Sequence, residues 1–132
     1  LLEKLLIASV QDQFSNTISR DIKVESKNNK FIFDGVIQTG LKLTVFEVKR
    51  INLNTFNGSY LNRLLDDYKS FYSGLTEVNK NDFSMIFLVA TDDKIEAVKS
   101  QLDQLFSTVD FDYQIKLYSI DSLTEHNIQV AS

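Results

Sequence analysis

The sequence predicts an α/β fold, a three-layer α/β/α sandwich in which helices cover both faces of a mixed sheet. A tight hairpin signal between two strand-like segments predicts antiparallel pairing, and a helical segment between two later strands is the crossover that parallel strands require. The chain has 132 residues, of which 43% are hydrophobic and 24% charged, the profile of a globular domain with one core. We therefore expect a single domain over residues 1–132.

The amino-terminal part of the chain is predicted to form one helix followed by three strands. Apolar residues recur every three or four positions over residues 2–18, which indicates an amphipathic helix. Residues 21–26 alternate in polarity, as expected of a short strand. Segments 31–38 and 41–51 are rich in β-branched and aromatic residues, and Thr39-Gly40 between them is a hairpin turn signal.

The carboxy-terminal part is predicted to alternate between helices and strands. A polar loop over 52–59 leads into a broad apolar stripe over 60–75, which indicates a long helix. The almost unbroken apolar run over 83–90 is typical of a strand covered on both faces. A helix over 95–106 and a strand over 113–120 complete the predicted order α-β-β-β-α-β-α-β.

Composition excludes several kinds of site. The chain has no cysteine and one histidine, His126, which excludes disulfide scaffolds, thiolate zinc sites and multi-histidine metal sites. No apolar run approaches the ~20 residues of a membrane span, and no signal-peptide pattern is present. We therefore expect a cytoplasmic protein without a membrane partner. Because the chain begins with leucine, we also expect it to be excised from a longer protein, whose other domains would be partners.

Three charged residues lie within the predicted hairpin, whose strands are otherwise apolar. They are Asp34 on the first strand and Glu47 and Lys49 on the second. Burying an unpaired charge costs several kcal/mol, so three such charges in one hairpin call for a joint explanation. The net charge of −4 argues against a broadly basic nucleic-acid binder but is compatible with a carboxylate site that binds cations.

Strand alternation brings the three charges together. If Thr39-Gly40 is a two-residue loop, Asp34 lies opposite Val45 and shares its sheet face. Glu47 and Lys49 then lie on the same face, with Glu47 a diagonal neighbour of Asp34. A three-residue loop would instead send Asp34 to the opposite face.

The chemistry that these residue types support is metal-assisted hydrolysis. Carboxylate oxygens are hard ligands that suit Mg²⁺ or Mn²⁺. Such an ion can polarise a phosphoryl oxygen and generate hydroxide from bound water. Lys49 could position that water or stabilise the charge that builds on the phosphate.

The pattern of Asp34 followed by Glu47-Val48-Lys49 resembles the D…(D/E)xK motif of the PD-(D/E)XK, or restriction-endonuclease-like, nuclease superfamily. The αβββαβ core of that superfamily is similar to the predicted order from the first helix through the strand at 83–90. The last helix and strand would be additions. One departure is Phe33, which stands where the superfamily's name has proline.

The resemblance implies a Mg²⁺- or Mn²⁺-dependent phosphodiesterase, an endo- or exonuclease, acting on DNA and leaving a 5′-phosphate. It implies that Asp34 and Glu47 ligate the metal, with the Val48 carbonyl as a further ligand, and that Lys49 acts on the attacking water. Some members use a glutamate of the first helix as an added ligand, which here would be Glu3, with Gln13 a weaker competitor. Many such enzymes dimerise to cut two strands, so a homodimer is a further expectation.

Two alternatives stay open at this point. Glu47 and Lys49 could be an ordinary charge pair on an edge strand, with Asp34 a surface acid. Alternatively, the chain could be a nuclease-fold module that no longer cuts and acts in protein interaction or assembly, as its few basic residues favour. On the long helix, Tyr60 and Tyr68 fall within the apolar stripe, so we expect them to pack in the core.

Overall fold

The computed structural model describes residues 1–123, and His126 lies outside that range. Within it the chain is an α/β protein with a five-stranded sheet. The strands are β1 Ser19–Glu25, β2 Lys30–Thr39, β3 Lys42–Arg50, β4 Phe83–Thr91 and β5 Asp112–Ser119. The α-helices are α1 Leu2–Gln11, α2 Tyr60–Ser73, α3 Glu77–Asn81 and α4 Ile95–Phe106, and a 3₁₀ helix spans Leu53–Asn57. None of these helices is long and apolar enough to cross a membrane.

The sheet is open, and it is mixed, as the sequence predicted. Its strand order is β1-β2-β3-β4-β5, with β1, β2 and β3 joined by antiparallel pairing. The β3–β4 and β4–β5 pairs are parallel, and α2 and α4 lie in the two connections that parallel pairing requires. The interior strand β4 is buried almost throughout, which confirms the interpretation of its apolar run.

Two apolar clusters pack against the sheet. The α1 cluster joins that helix to β2, β3 and β4 through Leu6, Ile7, Val10, Ile18, Ile37, Phe46, Ile86, Leu88 and Ala90. The α2/α4 cluster includes Leu61, Leu65, Tyr68 and Phe71 of α2 and Val98, Leu102 and Phe106 of α4. Val45 belongs to the second cluster and its neighbour Phe46 to the first, as expected of side chains that alternate between the two faces of a strand.

One predicted boundary is wrong, and one predicted loop contains helical structure. The first helix ends at Gln11 rather than continuing to residue 18. Ile18 fits the helical spacing because it packs in the α1 cluster, but it lies beside β1, where its amide donates to Gln11 Oε1 at 2.8 Å. The predicted polar loop over 52–59 contains the 3₁₀ helix, whose first turn is closed by the Thr55 hydroxyl accepting from the Asn52 amide at 3.0 Å.

The hairpin turn also differs from the prediction. Thr39 pairs with Lys42, so the two-residue loop is Gly40-Leu41 rather than Thr39-Gly40. Gly40 has a φ of +62°, and a glycine at the first loop position is what a type II′ turn requires. The pairing of the two strands is thereby shifted by two residues, which preserves alternation and brings Asp34 level with Glu47 instead of opposite Val45.

Candidate metal centre

The site begins where the pairing between β2 and β3 stops. The last ladder pair on this side is Gly35 with Phe46. Beyond it, the Asp34 amide donates to Glu47 Oε1 at 3.1 Å, and the Val48 amide donates to Asp34 Oδ2 at 2.7 Å. The two carboxylates therefore bridge the strands by accepting hydrogen bonds from backbone amides.

The backbone of β2 changes direction at the same point. Pairs with β1 are formed on both sides of Asp34, at Phe33 and at Gly35, but the register skips Asp34 and its counterpart Asp21. Asp21 has a φ of +54°, a left-handed conformation that is uncommon outside glycine. Phe33 packs in the α2/α4 cluster, whereas a Cβ at Gly35 would point at Ile18 of the α1 cluster. Asp34 thus lies at the position where the side chains of β2 change the face of the sheet to which they point.

Glu47 is the more buried of the two acids, with 3% of its surface exposed. Its Oε2 accepts a hydrogen bond of 2.7 Å from the Tyr68 hydroxyl of α2. Burial raises the pKa of Glu47 to about 7, and the nearby Asp34 charge contributes to the rise, while the Tyr68 hydrogen bond and the Lys49 charge oppose it. A proton on this carboxyl is therefore exchanged near neutral pH.

Asp34 is half-buried and lies closer to α1. Burial raises the pKa of its carboxyl above the usual value, and the hydrogen bond from the Val48 amide opposes that rise. Among charged neighbours, Glu3 and Asp21 raise the pKa of Asp34, and Lys49 lowers it. The carboxyl thus lies in a negative environment that a cation would neutralise.

The structure brings Glu3, a predicted ligand, to this position. Oxygen atoms of Glu3, Asp21 and Asp34 lie within 4.8 Å of one another. Arg20 pairs with Glu3 through a contact of 2.6 Å between its Nη2 and Glu3 Oε1, so part of the negative charge is balanced. Asp21 was not singled out from the sequence, because an aspartate in an exposed, alternating strand has no distinguishing pattern.

Lys49 and Val48 lie on β3 beside Glu47. Lys49 forms no salt bridge within residues 1–123, yet its charge lowers the pKa of both Asp34 and Glu47. The contact observed for Val48 is made by its amide, and the role of its carbonyl as a ligand stays a prediction. Gln13 is engaged elsewhere, since its Oε1 accepts a hydrogen bond from Lys116 Nζ.

The two α2 tyrosines that were predicted to pack in the core differ. The prediction that Tyr60 packs in the core is wrong, because 45% of its surface is exposed. The same prediction for Tyr68 is confirmed, because only 1% of its surface is exposed. The sequence did not indicate that the Tyr68 hydroxyl would contact Glu47. Its place in the apolar stripe suggested packing alone, and the contact depends on how α2 crosses the sheet.

The residues present fit a divalent cation. Every donor in the candidate site is an oxygen atom, which matches the preference of Mg²⁺ and Mn²⁺. Burial raises the pKa of both Asp34 and Glu47. Repulsion from Glu3 and Asp21 adds to the rise at Asp34, and repulsion from Asp34 adds to the rise at Glu47. A bound cation would offset these repulsions.

Comparison of the chain with protein-family models, curated proteins and solved structures gave no match in any of the three. The resemblance to the PD-(D/E)XK nucleases therefore stays a prediction, and it depends on Asp34, Glu47, Val48 and Lys49 and on the order of the elements that carry them.

Proposed function

We propose that this chain is a metal-dependent nuclease domain that hydrolyses phosphodiester bonds, with DNA as the substrate class. The observation that carries the proposal is the direct link between Asp34 and Glu47 at the point where two adjacent strands separate. A restriction-endonuclease-like, three-layer core is part of the proposal. It is supported by the element order and by the two clusters that pack α1 and α2 against the sheet.

Asp34 and Glu47 would hold the Mg²⁺ or Mn²⁺ ion, with Glu3 and the Val48 carbonyl as further ligands. The proximity of Asp21 to Glu3 and Asp34 adds it to the candidate set. When bound, such an ion polarises a phosphoryl oxygen and lowers the pKa of a coordinated water.

The other groups of the site would position the carboxylates and stabilise the charge that develops during the reaction. The amides of Asp34 and Val48 hold one carboxylate each, which limits the freedom of both side chains before substrate arrives. Lys49 would donate to the attacking water or to a phosphate oxygen, where its positive charge stabilises the negative charge that develops.

A second candidate function is a non-cutting interaction module. Two observations favour it: the net charge of −4, which opposes nucleic-acid binding, and the Arg20–Glu3 ion pair, which supplies positive charge to the acidic cluster from the protein itself. Against it, a module that binds no cation has no physical reason to retain the buried Glu47 carboxylate beside Asp34.

A cleavage assay tests the proposal. The wild-type chain is incubated with Mg²⁺ on single- and double-stranded DNA and on RNA, and the Lys49→Ala variant is expected to cleave at least ~10²-fold more slowly. Lys42→Ala is the matched control, because Lys42 is an exposed lysine of the same strand at its far end, and its activity should be unchanged. Equal rates for wild type and Lys49→Ala would contradict the assigned role.

The interaction module would be supported if the wild type cleaved none of these substrates and calorimetry detected no Mg²⁺ or Mn²⁺ binding at millimolar ion. A homodimer, further domains of a longer protein and a cytoplasmic location stay predictions from the sequence.

A further inference from the structure

We infer that Tyr68 is a positioning residue for the proposed metal centre, acting through the Glu47 carboxylate. The inference rests on the proposed function, because it concerns how the same site is held ready for a cation. It assigns a role to α2, the helix that follows the motif-bearing hairpin.

The Tyr68 hydroxyl has one partner among the described residues. It donates to Glu47 Oε2 at 2.7 Å, and both side chains are buried. A hydroxyl removed from water without a hydrogen bond costs free energy, so packing alone would be served as well by phenylalanine. The α2/α4 cluster already uses phenylalanine one turn away, at Phe71.

The Tyr68 ring is fixed on two sides. Its centroid lies 5.3 Å from that of Phe31 on β2 and 6.3 Å from that of Phe87 on β4. Burial raises the pKa of Tyr68 well above its usual value, with the Glu47 charge adding to the rise, so the phenol keeps its proton and remains a donor. A neutral donor in a fixed position can orient the carboxylate that accepts from it.

The two hydrogen bonds on Glu47 leave acceptor capacity for a cation. Oε1 accepts from the Asp34 amide and Oε2 accepts from Tyr68. A carboxylate oxygen has two lone pairs, so each oxygen keeps one for a metal ion. Groups that orient a ligating carboxylate contribute to metal affinity, and their loss costs about 10–100-fold in affinity or activity.

The test is Mn²⁺ titration of the full chain by calorimetry, comparing wild type with Tyr68→Phe. We expect the dissociation constant to rise about 10–100-fold in Tyr68→Phe. In cleavage assays, the defect should appear as a higher Mn²⁺ requirement that excess ion overcomes, with the rate at saturating Mn²⁺ close to that of the wild type.

Two control variants separate orientation from packing. Tyr72→Phe removes a hydroxyl one turn along α2, where it donates to the Lys80 carbonyl at 3.4 Å, away from the acids. Phe71→Leu weakens the packing of α2 against Phe33 but keeps the Tyr68 hydroxyl, and urea unfolding records the stability that it loses. Both controls should bind Mn²⁺ like the wild type.

The outcomes are distinguishable. Wild-type affinity in Tyr68→Phe, or an equal loss of affinity in Phe71→Leu, would overturn the role of the hydroxyl while leaving the proposed function in place. Absence of Mn²⁺ binding by the wild type would overturn both. Selective loss in Tyr68→Phe supports the inference.

Discussion

The two halves of the β2–β3 hairpin differ in the hydrogen bonds that join the two strands. In the turn half, residues 35–39 pair continuously with residues 42–46 of the neighbouring strand. In the site half, formed by residues 31–34 and 47–50, that pairing ceases. There β2 continues to pair with β1 and β3 continues to pair with β4, so the sheet separates between β2 and β3.

The difference shows what the site requires of the fold. In the turn half, backbone amides donate to carbonyl oxygens of the opposite strand, whereas in the site half the amides of Asp34 and Val48 donate to the carboxylates of Glu47 and Asp34. In the site half, the Phe31 ring of β2 packs against the Tyr68 ring of α2, with centroids 5.3 Å apart. We infer that the turn half stabilises the domain, while the site half gives up stability to keep acids in place.

The largest expected effect falls in the turn half. Phe46 is fully buried in the α1 cluster, with its ring 5.3 Å from that of Phe14. Phe46→Ala should lower the free energy of unfolding by about 3–5 kcal/mol, because it removes a packed ring and leaves a cavity. Urea denaturation checks this value. In the site half, Lys49→Ala should change the free energy of unfolding by less than ~1 kcal/mol. A larger loss there would contradict the difference in stability contribution between the two halves.

The next effect concerns pH and the site half. The pKa of Glu47 is about 7 in the folded chain and near 4.5 when unfolded, so between these values the folded chain binds more protons. Its stability therefore falls as pH rises through this window, by an amount on the order of 3 kcal/mol from Glu47. The free energy of unfolding of the metal-free wild-type chain should be lower at about pH 8 than at about pH 5. This decrease should be smaller in Glu47→Gln.

The control for the pH experiment is Glu25→Gln, which changes an exposed glutamate of β1 and should leave the fall unchanged. Addition of Mg²⁺ at the higher pH should restore stability to the wild type, since a cation balances the ionised carboxylates. An identical pH dependence in wild type and Glu47→Gln would contradict the burial of an ionisable Glu47.

A smaller effect is expected at Gly35, the last paired residue before the site. A Cβ there would lie 2.6 Å from Ile18 Cγ2, closer than non-bonded carbons approach. Gly35→Ala should destabilise the domain by about 1–3 kcal/mol, as overpacking does. Gly58→Ala is the control, because a Cβ at Gly58 would meet no atom within 4 Å, and its effect should stay within ~0.5 kcal/mol. Thermal or urea unfolding of Gly35→Ala and Gly58→Ala measures the two changes in stability, and equal changes would contradict the close contact at Gly35.

The smallest effect is expected at Arg20, at the outer margin of the site half. Its ion pair with Glu3 is partly exposed, so Arg20→Met should change stability by less than ~1 kcal/mol. Removing this cation should nevertheless tighten Mn²⁺ binding, by at most about fivefold, which calorimetry can measure. Weaker Mn²⁺ binding would show that Arg20 supports the acidic cluster rather than competing with the ion.

Much of the fold followed from periodicity. The helix at Ile95–Phe106 and the strand that begins at Phe83 have the predicted types and almost the predicted bounds, since each has a long apolar pattern and clear ends. The turn was misplaced because Gly40 could serve as either loop residue, and only the paired strands show that it is the first.

The site was predictable where it depended on strand alternation and obscure where it depended on tertiary contacts. Alternation brought Glu47 and Lys49 together with Asp34, although the switch of faces at Asp34 interrupts that alternation within β2. Asp21 and Tyr68 could not be found in this way. The first depends on a left-handed residue in β1, and the second on the crossing of α2 over the sheet.

We propose above all that Asp34 and Glu47 together bind a divalent cation. A crystal of the wild-type chain grown with millimolar Mn²⁺, with anomalous diffraction locating the ion, tests it most directly. We expect a Mn²⁺ peak within coordination distance of both carboxylates. An absent peak, or one bound by Glu3 and Asp21 without Glu47, would contradict it.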